Sequence, residues 1–120
     1  MAVDAFASLA ADAIEAALLE PGAYGLAGRT VHVRDGAVRL PDGTLAGSVL
    51  TMDGAVRNLV SSGAALEDAV HAASTAPARL LGRDDLGALR EGAPAHVTVL
   101  DDELRVTRTL VGGVEAFASG

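Results

Sequence analysis

Two alternating segments joined by Asp35-Gly36 constrain the fold of this chain more than any other feature. Residues 29–34 and 37–40 alternate polar and apolar side chains on either side of this dipeptide. Asp-Gly tolerates the positive φ angles of a tight type I′ turn. The pattern therefore predicts a β-hairpin over residues 29–40. Its apolar face carries Val31, Val33, Val38 and Leu40.

Three helical segments are predicted over residues 52–82. Apolar residues recur at helical spacing in the first, and Gly63 is suited to the left-handed residue that ends it. A second helix follows, and a short third helix begins at Pro77 and ends at Gly82. The residues predicted to face inward are Met52, Ala55, Val56, Leu59, Val60, Leu66, Ala69, Val70 and Ala73.

The remaining segments are predicted to be a loop, a set of short strands and a terminal helix. Gly43 and Gly47 lie in the loop between the hairpin and the first helix, where a missing Cβ lets the backbone approach a ligand or another segment. Residues 95–100, 105–111 and 114–117 read as strands, which are too few for an independent sheet and need a partner. Residues 2–20 are rich in Ala and favour a helix by local propensity.

Composition excludes several classes of function. The net charge is −7, Lys is absent, and the nine cations are scattered Arg residues, so nucleic acid and membrane surfaces are not expected partners. No apolar run approaches the ~20 residues that span a bilayer. Cys is absent, which removes disulfides and Cys-ligated zinc, and the expected location is the cytoplasm. With 2% aromatic residues, the core must consist of Ala, Val and Leu.

Few side chains form a recognisable chemical motif. His32, His71 and His96 lack the pair spacing that holds a metal, and each has an ordinary structural explanation. Asp12, Asp42 and Asp53 are candidate acids or bases, although carboxylates in turns and at helix ends mostly cap or face solvent.

Longer runs of the sequence resemble a known enzyme family. The run 43–52, followed by 55–60, is similar to the carboxyl-terminal part of N-acetylglucosamine-6-phosphate deacetylases, which belong to the amidohydrolase superfamily. Residues 72–82 and 87–101 resemble the ending shared by many amidohydrolases. The resemblance extends over residues 6–115.

The resemblance implies an α/β fold and an amide-hydrolysing ancestry. The family fold is a metal-dependent TIM barrel with a small β-sandwich domain. This chain would be its C-terminal fragment: residues 1–88 supply the last barrel strand and helices with the β-hairpin, and residues 89–120 supply strands of the sandwich. The family's enzymes use a divalent metal such as Zn²⁺ to release acetate from N-acetylglucosamine 6-phosphate. Their Glu and His metal ligands are absent from this chain, so we expect the isolated chain to be inactive.

The resemblance also assigns four site residues. Asp12 occupies the place of the family's general base and acid, and Leu45, Ala46 and Gly47 match its substrate-contacting loop. No metal ligand is assigned to this chain. Departures from the family pattern leave two interpretations open: Asp12 points into a site from the last barrel strand, or residues 2–20 form a helix that exposes it. Propensity favours the helix in the isolated chain.

Two other classes of function remain open from the sequence. A non-catalytic interaction module would use the surface that a missing barrel leaves exposed. Another amidohydrolase, of the deaminase or dihydroorotase type, would share the C-terminal motif. The partners implied are an amino-sugar phosphate substrate and either a homo-oligomer or a missing barrel segment.

Overall fold

The computed structural model describes residues 20–26 and 28–120 of the chain. The described residues fall into two compact units, residues 20–52 and residues 53–120. The predictions for residues 2–19, including the placement of Asp12, lie outside the described residues. The division into parent-enzyme domains at residue 88 stays a prediction.

The first unit is a four-stranded antiparallel sheet. Its strands, in the order β1-β2-β3-β4, are β1 (Gly22–Leu26), β2 (Arg29–Arg34), β3 (Ala37–Arg39) and β4 (Leu45–Ser48). The predicted hairpin is confirmed as β2 and β3, and Asp35 and Gly36 have φ angles of 51° and 74°. The sequence did not predict β1 or β4, because both contain glycine and depend on pairing with the hairpin.

A small valine core holds this sheet together. Val31, Val33 and Val38 are buried, as the alternating pattern predicts. The half-buried fourth residue, Leu40, packs against them at the edge of the cluster. Tyr24, Ala46 and Val49 also pack against this core.

The second unit contains three helices, α1 (Met52–Ser61), α2 (Leu66–Ala73) and α3 (Thr75–Leu80), of which only Met52 belongs to the first unit. Helix α1 buries Ala55 and Val56 as predicted, but Met52 is exposed. The inward placement of Leu66 and Val70 is wrong, since both are more than 40% exposed. Helix α2 buries Ala69, as predicted, and Ala72, whose small side chains permit close packing beside α3.

Helix boundaries differ slightly from the prediction. Helix α3 begins at Thr75, two residues before Pro77, and Gly82 ends the segment with a φ of 70°. Gly63 closes α1 with a φ of 104°, as predicted. In the described part of the chain, no helix has the length and apolarity needed to cross a membrane.

A three-stranded antiparallel sheet completes the second unit. Its strands β5 (Val97–Leu100), β6 (Val106–Val111) and β7 (Val114–Ala118) lie in that order and confirm the three predicted strands. No residue from 89 to 120 is buried. His96 precedes β5, and its Nδ1 accepts a hydrogen bond from the Gly112 N–H at 3.0 Å. This histidine therefore has a structural partner.

Valine and alanine supply all the buried apolar side chains among the described residues. Among these residues Leu contributes to a core only at its edge, where Leu40 packs against the valines, and four leucines are more than half exposed. The leucines concerned are Leu45, Leu80, Leu81 and Leu89.

The ion pair of Arg83 and Asp85, which follows α3, lowers a carboxyl pKa that can be measured. Arg83 Nη2 lies 2.6 Å from Asp85 Oδ2, and this hydrogen bond lowers the pKa of Asp85 to about 2. A depressed carboxylate pKa stabilises the fold above the unfolded pKa, and that contribution is lost as pH falls from about 4 to 2. We expect Arg83→Gln to return the pKa of Asp85 towards 3.8. Carboxyl ¹³C NMR titration measures this, and Arg90→Gln should shift the pKa less because Arg90 makes the smaller contribution.

Candidate functional site

The run Leu45-Ala46-Gly47 lies on strand β4, at the edge of the first sheet. The predicted loop is therefore wrong for these residues. Arg39 pairs with Leu45 and Val38 pairs with Gly47, so Ala46 is an extra residue in β4. This irregularity is a β-bulge, a feature that bends a strand and redirects its side chains.

The three residues of this run have different environments. Leu45 is 60% exposed, whereas Ala46 packs against the valine core. Gly47 is buried and pairs with Val38, which has no exposed surface. Leu45 is therefore the side chain of this run that can reach a ligand.

The turn that leads into β4 is braced by its own backbone. The Leu40 N–H donates to the Thr44 carbonyl and the Gly43 N–H donates to the Leu40 carbonyl, both at 2.9 Å. Arg39 Nη1 donates to the Gly43 carbonyl at 3.0 Å. Gly43 has a φ of 88°, which explains why glycine suits this position. The bracing fixes the start of β4.

Asp42 belongs to the same bracing and not to a catalytic pair. Its Oδ1 accepts the Thr44 N–H at 2.9 Å. Hydrogen bonding with the Thr44 side chain first, and with this N–H second, lowers the pKa of the Asp42 carboxyl. A carboxylate held ionised in this way is a poor general acid at neutral pH. The structure therefore supports the ordinary turn explanation for Asp42.

Backbone groups and one apolar side chain are what β4 can offer a ligand. Leu45, Ala46 and Gly47 carry no polar side chain. Within the described residues, β4 pairs with β3 on one side and lies at the edge of the sheet on the other. Edge-strand N–H and C=O groups can bind a polar ligand, and Leu45 can contact its apolar portion.

An open depression of ≈ 400 Å³ lies elsewhere on this unit. Residues 45–47 do not line this depression, so it is separate from the strand β4 residues that are predicted to contact substrate. Its lining residues are Arg29, Thr30, Leu40, Pro41 and Asp42.

The second unit places the remaining candidate acid in an ion pair. Asp53 Oδ2 lies 2.6 Å from Arg57 Nη1 on α1, and the same Nη1 donates to the Leu104 carbonyl at 2.8 Å. The i,i+4 spacing of Asp53 and Arg57 was readable from the sequence. The contact between Arg57 and Leu104 could not be predicted from the sequence, because the two residues are 47 positions apart.

The described residues do not fit the divalent metal that the resemblance implies. Among residues 20–26 and 28–120, no group of three His, Asp or Glu side chains could hold a metal ion. His32 lies on β2, His71 on α2 and His96 before β5. We therefore derive no catalytic step through a metal on these residues. Asp12, the predicted general base, lies outside the described part.

The chain is similar to deacetylases of amino-sugar phosphates. It is 44% identical over 107 residues to N-acetylgalactosamine-6-phosphate deacetylase of Escherichia coli O157:H7, covering 88% of this chain and 28% of that protein. It is 38% identical over 106 residues to N-acetylglucosamine-6-phosphate deacetylase of Lysinibacillus sphaericus, covering 88% of this chain and 27% of that protein.

A solved structure gives the same result for the fold. The crystal structure of N-acetylglucosamine-6-phosphate deacetylase from Thermotoga maritima matches with a TM-score of 0.85 and 37% identity. The match covers 97% of this chain and 32% of that protein. The predicted fold class is confirmed: the chain is an α/β structure that corresponds to one portion of a larger deacetylase.

The sequence model of the amidohydrolase family matches residues 10–116. That range contains both described units almost completely. The chain belongs to the amidohydrolase family.

Proposed function

We propose that this chain forms part of the substrate site of an enzyme that hydrolyses N-acetylglucosamine 6-phosphate to glucosamine 6-phosphate and acetate. The observation that carries this proposal is the bulged edge strand at Leu45-Ala46-Gly47. It lies in a chain similar to amino-sugar-phosphate deacetylases and matches a run that the resemblance links to substrate contact. The predicted location stays the cytoplasm.

The chain's own residues would perform two tasks. The backbone of β4 would bind polar groups of the sugar, while Leu45 would contact an apolar face or the acetyl methyl. Asp12 would accept a proton from the attacking water and return it to the leaving amine, as the resemblance implies. The ligands of the family's divalent metal are to be sought outside the described residues. We propose that the isolated chain does not hydrolyse the substrate.

The galacto epimer is the second candidate substrate. The relative named for N-acetylgalactosamine 6-phosphate is 44% identical, against 38% for the bacterial relative named for the gluco compound. The two sugars differ at one hydroxyl. The ratio of the kcat/KM values for N-acetylglucosamine 6-phosphate and N-acetylgalactosamine 6-phosphate decides between the two substrates.

The proposed substrate contact of β4 can be tested in a chimeric enzyme, which we call the graft. Residues 10–116 of this chain replace the aligned segment of the L. sphaericus enzyme, and acetate release is measured with added Zn²⁺. We expect Leu45→Asp to raise KM for N-acetylglucosamine 6-phosphate at least about tenfold, because an apolar contact is lost and a carboxylate is added beside a substrate that is itself anionic. The kcat should change little, since ground state and transition state lose the contact equally.

Leu89→Asp is the matched control for this variant. Leu89 is 83% exposed and belongs to the second unit, so the same charge is introduced in a unit that does not contain β4. Its KM should equal that of the unsubstituted graft. If the Leu45→Asp graft folds and its KM stays within about twofold of the unsubstituted graft, β4 does not contact the substrate.

A further inference from the structure

The guanidinium of Arg57 connects helix α1 to the turn between β5 and β6. Its Nη1 donates to Asp53 Oδ2 at 2.6 Å and to the Leu104 carbonyl at 2.8 Å. The side chain is one-third exposed, so part of this contact is shielded from water. We call the contact of Asp53, Arg57 and the Leu104 carbonyl the Arg57 bridge.

The turn that receives Arg57 is built by Asp101. Its Oδ1 accepts the N–H groups of Glu103 and Arg105, both at 2.9 Å. The Leu104 N–H donates to the Asp101 carbonyl, and Leu104 has a φ of 61°, which is uncommon for a residue with a Cβ. The turn therefore holds an unfavourable conformation that presents the Leu104 carbonyl to α1.

The C-terminal sheet has paired strands and exposed contacts such as the Arg108–Glu115 ion pair, but no buried core of its own. All side chains from 89 to 120 are exposed or half-buried, whereas α1, α2 and α3 each contain buried residues. Segments with few buried apolar contacts open at low free-energy cost. A partly shielded hydrogen bond from a cation is stronger than a neutral one. We therefore expect the Arg57 bridge to contribute a large share of the stability of this sheet.

We propose that the Arg57 bridge couples the order of the β5-β6-β7 sheet to helix α1. While Arg57 engages Leu104, the turn keeps its left-handed residue and β5 stays paired with β6. When the bridge opens, the sheet opens as a unit and the three helices remain folded. The proposal concerns the second unit alone and does not depend on the deacetylase function.

Hydrogen exchange of the full chain tests the coupling. We expect Arg57→Met, which keeps much of the aliphatic stem, to accelerate exchange of the β5 and β6 amides about tenfold. Amides of α2 and α3 should be unaffected. Unchanged exchange in β5 and β6, or equal acceleration in all three helices, would overturn the proposal.

Two controls separate the bridge from charge and from helix stability. Arg79→Met removes a cation whose side chain makes no hydrogen bond within the described residues, and should leave β5 and β6 unchanged. Asp53→Asn removes the ion pair within α1 but leaves Arg57 able to donate to Leu104. It should accelerate sheet exchange less than Arg57→Met; equal acceleration would show that the effect arises within the helix and would overturn the proposal.

A double-mutant cycle keeps the test valid if Arg57→Met perturbs folding broadly. Asp101→Ala loosens the turn from the other side of the bridge. If Arg57 acts through the Leu104 carbonyl, the double variant should accelerate β5 and β6 exchange no more than the more severe single variant. Accelerations that multiply would show independent effects and contradict the coupling.

Discussion

Asp12→Asn should lower kcat of the graft by about 10²–10⁴-fold, the range expected when a general acid–base group is lost. The amide keeps the size of the carboxylate but can neither accept a proton from water nor return one to the leaving amine. The KM should change little, since the loss falls on the transition state. Acetate release at saturating N-acetylglucosamine 6-phosphate measures the effect.

The matched control is Asp102→Asn. Asp102 is an exposed residue in the turn after β5, and its side chain makes no hydrogen bond within the described residues. It should leave kcat unchanged. If Asp12→Asn retains kcat within about threefold, Asp12 is not the proton-transfer residue, and the interpretation of residues 2–20 as a helix that exposes it gains support.

Gly87→Ala should destabilise the second unit by about 3 kcal/mol, from left-handed strain and overpacking together. Gly87 has a φ of 82°, and an added Cβ would lie 2.9 Å from Ala78 Cβ, the Ser74 carbonyl oxygen and Thr75 Cα. Two of these atoms belong to the backbone and cannot rotate away. The Gly87 carbonyl also accepts the Thr75 hydroxyl, so moving the glycine would weaken this bond.

Gly92→Ala separates the two causes. Gly92 has a φ of 83° but meets no atom within 4 Å of an added Cβ. We expect it to cost about 1 kcal/mol, from backbone strain alone. Both alanines restrict the unfolded chain equally, so that effect cancels in the comparison. Urea unfolding followed by circular dichroism measures both, and equal costs would contradict the close contact at Gly87.

Local chemistry predicted the elements whose signals lie within a few residues. The Asp35-Gly36 turn determined the β2–β3 hairpin, and glycine at 63 and 82 marked helix ends. Strands β1 and β4 escaped prediction because their sequences, GAYGL and LAGS, are poor strand formers. Pairing with the hairpin, which is a long-range effect, makes them strands.

The helix faces show a second limit of local reasoning. In α2, helical spacing predicted that Leu66, Ala69, Val70 and Ala73 share one inward face. The structure buries Ala69 as predicted, together with Ala72, whereas Leu66 and Val70 are more than 40% exposed. Helix α2 packs beside α3, and the small alanine side chains allow that contact. Such a choice depends on the neighbouring surface, which periodicity alone does not specify.

The candidate site was predicted by resemblance more than by chemistry. Leu45, Ala46 and Gly47 contain no reactive group, so no motif in the residues themselves marks them. The bulge at Ala46 gives this run a physical distinction that appears only once β3 and β4 are paired. The contact of Arg57 with Leu104 likewise depends on folding.

The most direct measurement is acetate release from N-acetylglucosamine 6-phosphate by the graft that carries residues 10–116. We expect turnover in the presence of Zn²⁺, with kcat/KM within about 100-fold of the parent enzyme, since a small displacement of β4 at the substrate site can cost that much. A graft that folds and retains the metal content of its parent, yet releases no acetate from either the gluco or the galacto substrate, would contradict the proposed function.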